Sequence, residues 1–492
     1  MEGQKFHSEK CSKPVKNRWA WTIVTVSVLC VSGFAAQAYP PPAPPATPSS
    51  LGAHIQRTMA LIASSSPQHR STVRILFYGQ SITKQAWSRA VAADLRARFP
   101  NTNFVIKNRA IGGCAAQCLI APAEHDLYPF YPDLLIFHVY GSQLAYEKII
   151  RKARATTTAE VLLLTDHYTG SSAWSDQMSD GFIPQFARRY HCGLVDIRHP
   201  WLRYLHDHAS LPSQLLADGI HLNAQGNFLM AELVKRYLIY QPSQPTDPDG
   251  LVKTYLLGKD LAFHNGRLTL PFVGNRIDVI ASAAKLTGAS GSIRLDGRKP
   301  SAFPELYSIT RPNGQFAADW MESPPTGKDW PWEVGALMRV RARTKLQVED
   351  WTVTITHFRS NTDFDFTVTG SVTGADGSGA YTDNPFVSRS GRVVIDQSAW
   401  WLTSLTKVAL TNGFQIRWSI VPNFVDIYSP RHNPDPTLEQ TTTLAQGLTN
   451  RRHTLELRSS DGHPLPIQAL RVYHPLLGRS SQDDAKPKRV NP

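Results

Sequence analysis

The sequence predicts an α/β unit with a parallel sheet, followed by an all-β domain. Two observations carry this prediction. Between residues 72 and 240, short apolar runs alternate with stretches of helical apolar spacing, whereas residues 255–475 carry short alternating runs separated by turn residues. The chain has 492 residues, too many for one ordinary core, so two large domains are expected.

The elements of the α/β unit follow from its apolar pattern. We expect five strands, at 73–78, 104–106, 134–139, 161–165 and 194–197. Apolar residues at helical spacing predict helices over 84–99, 144–153 and 225–240. Strands that alternate with helices favour parallel pairing with helices on both faces of the sheet.

The fold of the second half is predicted from a change in its apolar pattern. Residues 241–254, which contain three prolines, are interpreted as a linker. Alternating runs at 276–280, 351–355 and 453–457, with a turn expected at 376–379, predict an antiparallel β-sandwich over residues 255–478. The final residues, 479–492, are expected to be a disordered tail.

The N-terminus has the pattern of a secretory signal peptide. A basic start precedes an apolar run from Trp19 to Ala36, and Ala36-Gln37-Ala38 matches a small-x-small cleavage site. We therefore expect cleavage after Ala38 and a secreted or periplasmic protein. The alternative is an uncleaved membrane anchor. Residues 39–68 then form a Pro-rich linker and lead-in.

Charge and cysteine content restrict the partners. Loss of residues 1–38 removes five basic and two acidic residues, so the net charge falls from +13 to +10. This charge favours acidic polymers or anionic surfaces, while nucleic acid is not expected, because no dense basic run is interleaved with aromatics. The remaining cysteines are Cys114, Cys118 and Cys192. They are too few for a disulfide framework, although the first two could close one small loop. Simple burial of all three is the preferred interpretation.

A serine stands where the first predicted strand meets a helix. The segment Gly79-Gln80-Ser81-Ile82-Thr83 places its hydroxyl at the carboxyl end of a parallel sheet, where ligands bind in open α/β folds. N–H groups at the start of the helix can stabilise an oxyanion there. Serine is also a common helix cap, so this segment by itself leaves both roles open.

A second segment, Asp218-Gly219-Ile220-His221, precedes the last predicted helix of the same unit. A serine hydroxyl needs a base to take its proton, which His221 can do. Asp218 can then hold the other ring nitrogen and stabilise the imidazolium. His167, at the end of the fourth predicted strand, is interpreted as packing or as a substrate contact.

These segments resemble blocks of the SGNH (GDSL-type) hydrolases over residues 70–240. Gly79 to Thr83 looks like a Gln-containing variant of the first block, and Asp218 with His221 matches the last. Asn108 to Gly113 is similar to the second block, with Gly113 as the oxyanion donor. The resemblance implies a flavodoxin-like three-layer sandwich with a parallel sheet over residues 69–240, and a serine hydrolase with catalytic residues Ser81, Asp218 and His221 that uses no cofactor and no metal.

The third block departs from that family. Its Asn, whose amide completes the oxyanion hole, is absent from Val139-Tyr140-Gly141-Ser142-Gln143. Gln143 is the only amide in this segment and is taken as the third donor beside the N–H groups of Ser81 and Gly113. Loss of such a donor typically costs about 2.7–4 kcal/mol of transition-state stabilisation.

The second domain is interpreted as carbohydrate-binding. Residues 452–475 resemble the last strands of galactose-binding-like jelly rolls, and seven tryptophans follow residue 300. Aromatic rings stack on sugar faces, although each single Trp is as readily explained by a core. SGNH members with such a module often deacetylate polysaccharides.

The predicted function is therefore a secreted serine esterase acting on an acetylated polysaccharide, acidic ones included. A lipid or short-chain carboxylester hydrolase and a non-catalytic glycan-binding protein are the alternatives. A membrane is a partner only if the N-terminal segment stays uncleaved, and the oligomeric state is open.

Overall fold

A computed structural model of the protein describes residues 39–282, 290–312, 337–401, 411–430 and 435–478. The predicted signal segment 1–38 and the predicted tail 479–492 lie outside these residues, as do Trp320, Trp330 and Trp332. Within the described ranges, no helix is both long enough and apolar enough to cross a lipid bilayer.

The first half is built on a five-stranded parallel sheet. Its strands are β1 (Thr72–Gly79), β2 (Asn103–Asn108), β3 (Leu134–His138), β4 (Glu160–Leu164) and β5 (Gly193–Val195). They pair in the order β2-β1-β3-β4-β5, with every pair parallel. The predicted α/β fold is thus confirmed, with the strand order of a flavodoxin-like sheet.

Helices cover both faces of this sheet. They are α1 (Gln56–Ser64), α2 (Ser81–Lys84), α3 (Ala86–Arg98), α4 (Ala116–Asp126), α5 (Gln143–Thr156), α6 (Ala173–Asp176), α7 (Ile183–Arg189), α8 (Arg198–Asp207) and α9 (Ala224–Lys235). Because side chains alternate along a strand, Ile75 and Phe77 of β1 enter one apolar core while Leu76 and Tyr78 enter the other. The result is a three-layer sandwich.

Two elements differ from the sequence prediction. The helix expected over 84–99 is broken, because Gln85 adopts an extended conformation between α2 and α3. The stretch 39–68, expected to be linker and lead-in, contains α1. Two side chains of α1, Met59 and Ile62, lie in the core beside the sheet, so this part of the lead-in is integral to the α/β unit.

The second half consists of antiparallel strands, as expected. They are β6 (Val252–Leu256), β7 (Arg267–Ala281), β8 (Gly291–Leu295), β9 (Tyr307–Ile309), β10 (Asp350–Ser360), β11 (Asp363–Gly370), β12 (Gly374–Ala380), β13 (Phe386–Val387), β14 (Val394–Ile395), β15 (Gln415–Pro422), β16 (Ile427–Tyr428), β17 (Thr441–Ser459) and β18 (Ile467–Tyr473). The first strand begins at Val252, three residues inside the predicted linker 241–254.

These strands enclose two apolar cores rather than one. A six-stranded sheet in the order β16-β8-β17-β7-β18-β6 surrounds the first. A five-stranded sheet, β12-β11-β10-β15-β9, borders the second. The turn expected at 376–379 is wrong, because these residues lie inside β12 and pair with β11.

Two of the tryptophans behind the carbohydrate-module hypothesis fill a core. Trp351 and Trp418 are buried and stack with ring centroids 6.5 Å apart. Trp400 packs edge-on against Phe364 in the same core. Trp351 and Trp418 therefore present no face to a sugar.

Strand β7 of the second half packs onto the α/β unit. Tyr131 Oη donates to Asn275 Oδ1 and Asn275 Nδ2 donates to the Thr156 carbonyl, both at 2.8 Å. The Arg276 guanidinium lies over the rings of both Tyr131 and Tyr473, 4.9 and 4.7 Å from their centroids. Tyr131 lies just before β3, and Thr156 ends α5 just before β4. The contacts with β7 therefore lie at the amino ends of the parallel strands.

Candidate active site

Ser81 occupies a tight turn between β1 and α2. At Gly79 the backbone passes so close to β3 that a Cβ atom there would overlap the carbonyl oxygen of His138, which explains the glycine. Ser81 begins α2 at the carboxyl edge of the sheet and its side chain is largely enclosed. The turn therefore presents one hydroxyl at the edge where ligands bind in this architecture.

The three residues singled out by the sequence lie in one hydrogen-bonded chain. His221 Nε2 is 2.9 Å from Ser81 Oγ, and His221 Nδ1 is 2.8 Å from Asp218 Oδ2. The two contacts leave one ring nitrogen facing the hydroxyl and the other facing the carboxylate. In this arrangement the imidazole can take the hydroxyl proton while the carboxylate stabilises the resulting charge.

The turn before α9 holds Asp218 in place. Its Oδ1 accepts hydrogen bonds from the backbone N–H groups of Ile220, at 3.1 Å, and His221, at 2.8 Å. Burial alone would raise the pKa of Asp218, but these bonds and the His221 ring lower it below its usual value. Asp218 is therefore kept ionised, as a partner of a protonated imidazole must be.

Two further side chains, whose roles the sequence did not reveal, brace this turn. Gln85 accepts from the Leu222 N–H and donates to the Leu222 carbonyl, both at 3.0 Å. His167 Nε2 lies 2.8 Å from the Ile220 carbonyl and must donate to it. Burial lowers the pKa of His167 to about 4, so the ring is neutral at physiological pH. His167 thus packs beneath the turn that carries His221 and supports it.

A second histidine–carboxylate pair lies below the site. His138 ends β3, and its Nε2 is 3.1 Å from Asp166 Oδ1. Burial raises the pKa of Asp166, yet the close approach of the His138 ring outweighs it and lowers the pKa overall. Thr83 Oγ1 donates to the His138 carbonyl at 3.0 Å, which ties the serine turn to β3.

The predicted oxyanion side is built from the loop after β2. The Ile111 N–H donates to the Gly79 carbonyl at 2.9 Å, which brings this loop against the serine turn. Gly113 follows with φ 73°, a conformation that favours glycine. A disulfide joins Cys114 and Cys118, whose Cα atoms are 5.4 Å apart. The preferred interpretation of three buried thiols is thus wrong for this pair, whereas Cys192 is free and buried.

Three glutamines lie around the serine and the third block. Gln143 Nε2 is directed at Met178 Sδ, 3.6 Å away. Gln117, inside the disulfide loop, accepts from the Ser142 N–H at 3.2 Å. Gln80 Oε1 is 3.1 Å from Ser81 Oγ, and the Gln80 side chain is only 4% exposed. Gln80 therefore places an amide next to the hydroxyl, a position the sequence prediction had not considered.

Large apolar side chains are exposed around this edge. They are Tyr140 and Leu144 after β3, Trp174 on α6 and Ile220 in the catalytic turn. Leu144 is 80% exposed and Ile220 is 58% exposed. The carboxyl edge of the sheet thus carries exposed apolar side chains as well as the polar groups of Ser81, His221 and Asp218.

Comparisons with known proteins found likeness in structure only. No protein-family model and no curated protein matches the chain. A two-domain esterase (CEX) active on acetylated mannans is 15% identical, with a TM-score of 0.34 over 85% of this chain and 95% of that one. Axe2, an acetylxylan esterase from Geobacillus stearothermophilus, is 18% identical, with a TM-score of 0.32 over 35% and 97%. LAE5, an alpha/beta hydrolase enzyme from the metagenome of Lake Arreo, Spain, is 20% identical, with a TM-score of 0.31 over 35% and 100%.

The molecule's own architecture carries the assignment of fold. The strand order β2-β1-β3-β4-β5, the serine after β1 and the Asp-x-x-His turn before α9 stand together in one unit. An antiparallel β region follows it. The chain therefore has the α/β fold that its resemblance to the SGNH-type hydrolases implied, followed by the antiparallel β region that its pattern predicted.

Proposed function

We propose that the protein is a serine esterase that removes acetyl groups from a polysaccharide. The observation that carries the proposal is the unbroken chain of contacts from Ser81 Oγ through His221 to Asp218. The esterases of similar architecture act on acetylated mannans and xylan, which supports a sugar ester as substrate. An intact chain of this kind also argues against a glycan-binding protein with a decayed site.

The mechanism uses only groups of this chain. Ser81 Oγ attacks the carbonyl carbon of the ester while its proton moves to His221 Nε2, and Asp218 stabilises the imidazolium. The oxyanion accepts hydrogen bonds from the N–H groups of Ser81 and Gly113. When the intermediate collapses, the sugar oxygen leaves and takes the proton from His221. Water then attacks the acyl-enzyme with His221 as base, and acetate departs.

The proposed compartment is extracellular or periplasmic. The disulfide between Cys114 and Cys118 is typical of an oxidising environment, which supports export. The cleavage expected after Ala38 would release the mature protein into such a compartment.

The test combines labelling with turnover. A fluorophosphonate probe should label Ser81, and Ser81→Ala should abolish both labelling and aryl-acetate hydrolysis. Ser213→Ala, at an exposed serine whose side chain makes no described contact, is the matched control and should keep both. Acetate release from a panel of acetylated polysaccharides then identifies the substrate. Unchanged turnover by Ser81→Ala would contradict the proposal.

The exposed aliphatic groups of Leu144 and Ile220 favour a second candidate, a hydrolase of lipid or short-chain carboxylic esters. A longer acyl chain would cover these side chains, whereas an acetyl group would not reach far along them. Aryl esters with two to ten acyl carbons separate the candidates. A rise in kcat/KM with chain length favours the lipid substrate, and a steep fall favours acetate.

A further inference from the structure

The six-stranded β sheet carries a concavity that is distant in sequence from Ser81. It has a volume of about 350 Å³ and opens between β6, β7, β17 and β18. We call it the β6 concavity, and its principal lining residues are Lys253, Tyr255, Phe272, Arg452, Val472 and His474. The volume falls within the range of small-molecule sites in proteins.

The floor of the β6 concavity is apolar and its rim is basic. Phe272 and Val472 are buried members of the sheet's core, and Tyr255 packs beside them while keeping part of its ring exposed. Lys253 and Arg452 are exposed at the rim, with the Lys253 ammonium 4.7 Å from the centre of the Tyr255 ring. Among the residues that the structure describes, no acidic side chain lines the concavity.

Three arginines of this sheet outside the concavity have a carboxylate nearby. Arg267 pairs with Glu456 at 2.7 Å, and Arg471 pairs with Glu439 at 2.8 Å. Arg451, the neighbour of Arg452, has Asp296 3.8 Å away. Over the described ranges, neither Arg452 nor Lys253 has a carboxylate partner. Two unpaired cations therefore face one apolar hollow.

We propose that the β6 concavity binds an anionic saccharide, specifically a uronate unit of a polysaccharide. The carboxylate would accept charge-assisted hydrogen bonds from Arg452 and Lys253, while an apolar face of the sugar ring covers the exposed part of Tyr255. A long polymer held there stays tethered to the molecule that carries Ser81, which raises the effective concentration of its ester groups. The choice of a polysaccharide rests on the proposed function, whereas the choice of an anion rests on the lining alone.

The experiment measures binding of unacetylated polygalacturonate to the full mature chain by titration calorimetry. A Lys253→Gln/Arg452→Gln double variant should weaken binding about tenfold or more, because two charge-assisted contacts are lost. A Lys259→Gln/Arg451→Gln variant removes the same charge from exposed positions outside the lining and should weaken binding far less. Turnover of an aryl acetate should stay unchanged in both variants.

Three results would overturn the proposal. Equal weakening by the two double variants would mean general electrostatic attraction. Equal affinity for dextran sulfate or for neutral mannan would mean that the carboxylated sugar is not recognised. Absence of polygalacturonate binding would show that the concavity does not bind a uronate. Since aryl-acetate turnover is measured in parallel, failure of this site is distinguishable from failure of the esterase proposal.

A separate observation concerns the missing third oxyanion donor. In the described part of the chain, no protein group accepts a hydrogen bond from Gln80 Nε2, although the side chain is almost fully enclosed and its Oε1 is 3.1 Å from Ser81 Oγ. Gln143 Nε2 donates to Met178 Sδ, and Ser142 Oγ caps α5 by accepting from the Ala145 N–H. The amide nearest to the nucleophile is therefore that of Gln80.

We infer that the Gln80 amide N–H serves as the third oxyanion donor in the proposed esterase reaction. The amide is held beside the hydroxyl before substrate arrives, so little reorganisation is needed when charge develops on the carbonyl oxygen. Gln80→Glu keeps an acceptor for the Ser81 hydroxyl but lacks the donor, and Gln80→Met lacks both. If Gln80 is the donor, both variants lose about 10²–10³ in kcat on an aryl acetate with little change in KM.

Controls separate this role from a structural one. Gln117→Met and Gln143→Met should keep near wild-type kcat, and thermal unfolding of the Gln80 variants should match that of the wild type. Full activity of Gln80→Glu would show that Gln80 only orients the hydroxyl, and a large loss in Gln117→Met would move the donor to the disulfide loop. Wild-type turnover and labelling of Ser81 test the esterase itself independently.

Discussion

Two buried histidines should make the protein unstable in mild acid. His167 donates to the Ile220 carbonyl beneath the catalytic turn. His125, at the end of α4, lies 2.8 Å from the Ile309 carbonyl through Nδ1 and accepts from the Val340 N–H through Nε2. Burial is the main reason why the pKa of each histidine is lowered from 6.5 to about 4.

The direction of the effect follows from proton binding. Above pH 6.5 both rings are neutral in the folded and unfolded chains, and their full contribution to stability is present. As pH falls from 6.5 towards 4, the two histidines become protonated in the unfolded chain but stay neutral in the folded chain. The free energy of unfolding therefore falls. Linkage with these two pKa values predicts a loss of about 2.5 kcal/mol per histidine between pH 7.5 and 4.5.

The assay is urea unfolding of the mature chain across that pH range. His125→Gln removes one titrating ring while keeping a donor and an acceptor, so it should flatten the pH dependence by about 2.5 kcal/mol. His206→Gln, at an exposed histidine, is the control and should leave the slope unchanged. Glu160 and Asp126, whose pKa values burial raises, act with the opposite sign, so only the difference between variants isolates His125. An unchanged slope in His125→Gln would refute the reasoning.

Three further predictions address the site, the interface and the N-terminus. Asp218→Asn should lower kcat on an aryl acetate by about 10⁴ while leaving the thermal transition in place, since the carboxylate mainly orients and stabilises the imidazole. Asp278→Asn leaves the largely enclosed Arg276 guanidinium, 2.8 Å away in the wild type, without its counter-charge, and urea unfolding should show a loss of about 3–5 kcal/mol. N-terminal sequencing of the exported protein should begin at Tyr39, and a retained Met1 in a membrane fraction would favour the anchor instead.

Local sequence was sufficient to predict the parallel sheet and the three residues now seen in contact. The runs around Ile75 and Ile136 are apolar without alternation, because strands covered on both faces need no polar side. Ser81, Asp218 and His221 were identified through their positions at strand ends and before a helix, where topology brings side chains to one edge. These features depend on neighbouring residues and on the way in which helices connect parallel strands. They can therefore be predicted from the sequence.

The tertiary structure decided what depends on contacts between distant segments. The segment expected to be a turn at 376–379 became strand β12, since pairing with β11 outweighs the preference of its glycines for turns. Likewise, the placement of an amide beside Ser81 and of His167 under Ile220 follows from packing across the unit. Sequence alone determined which chemical groups stand at the ends of the strands. Only the fold decided which of them meet, because that depends on burial and on hydrogen bonds between residues far apart in the chain.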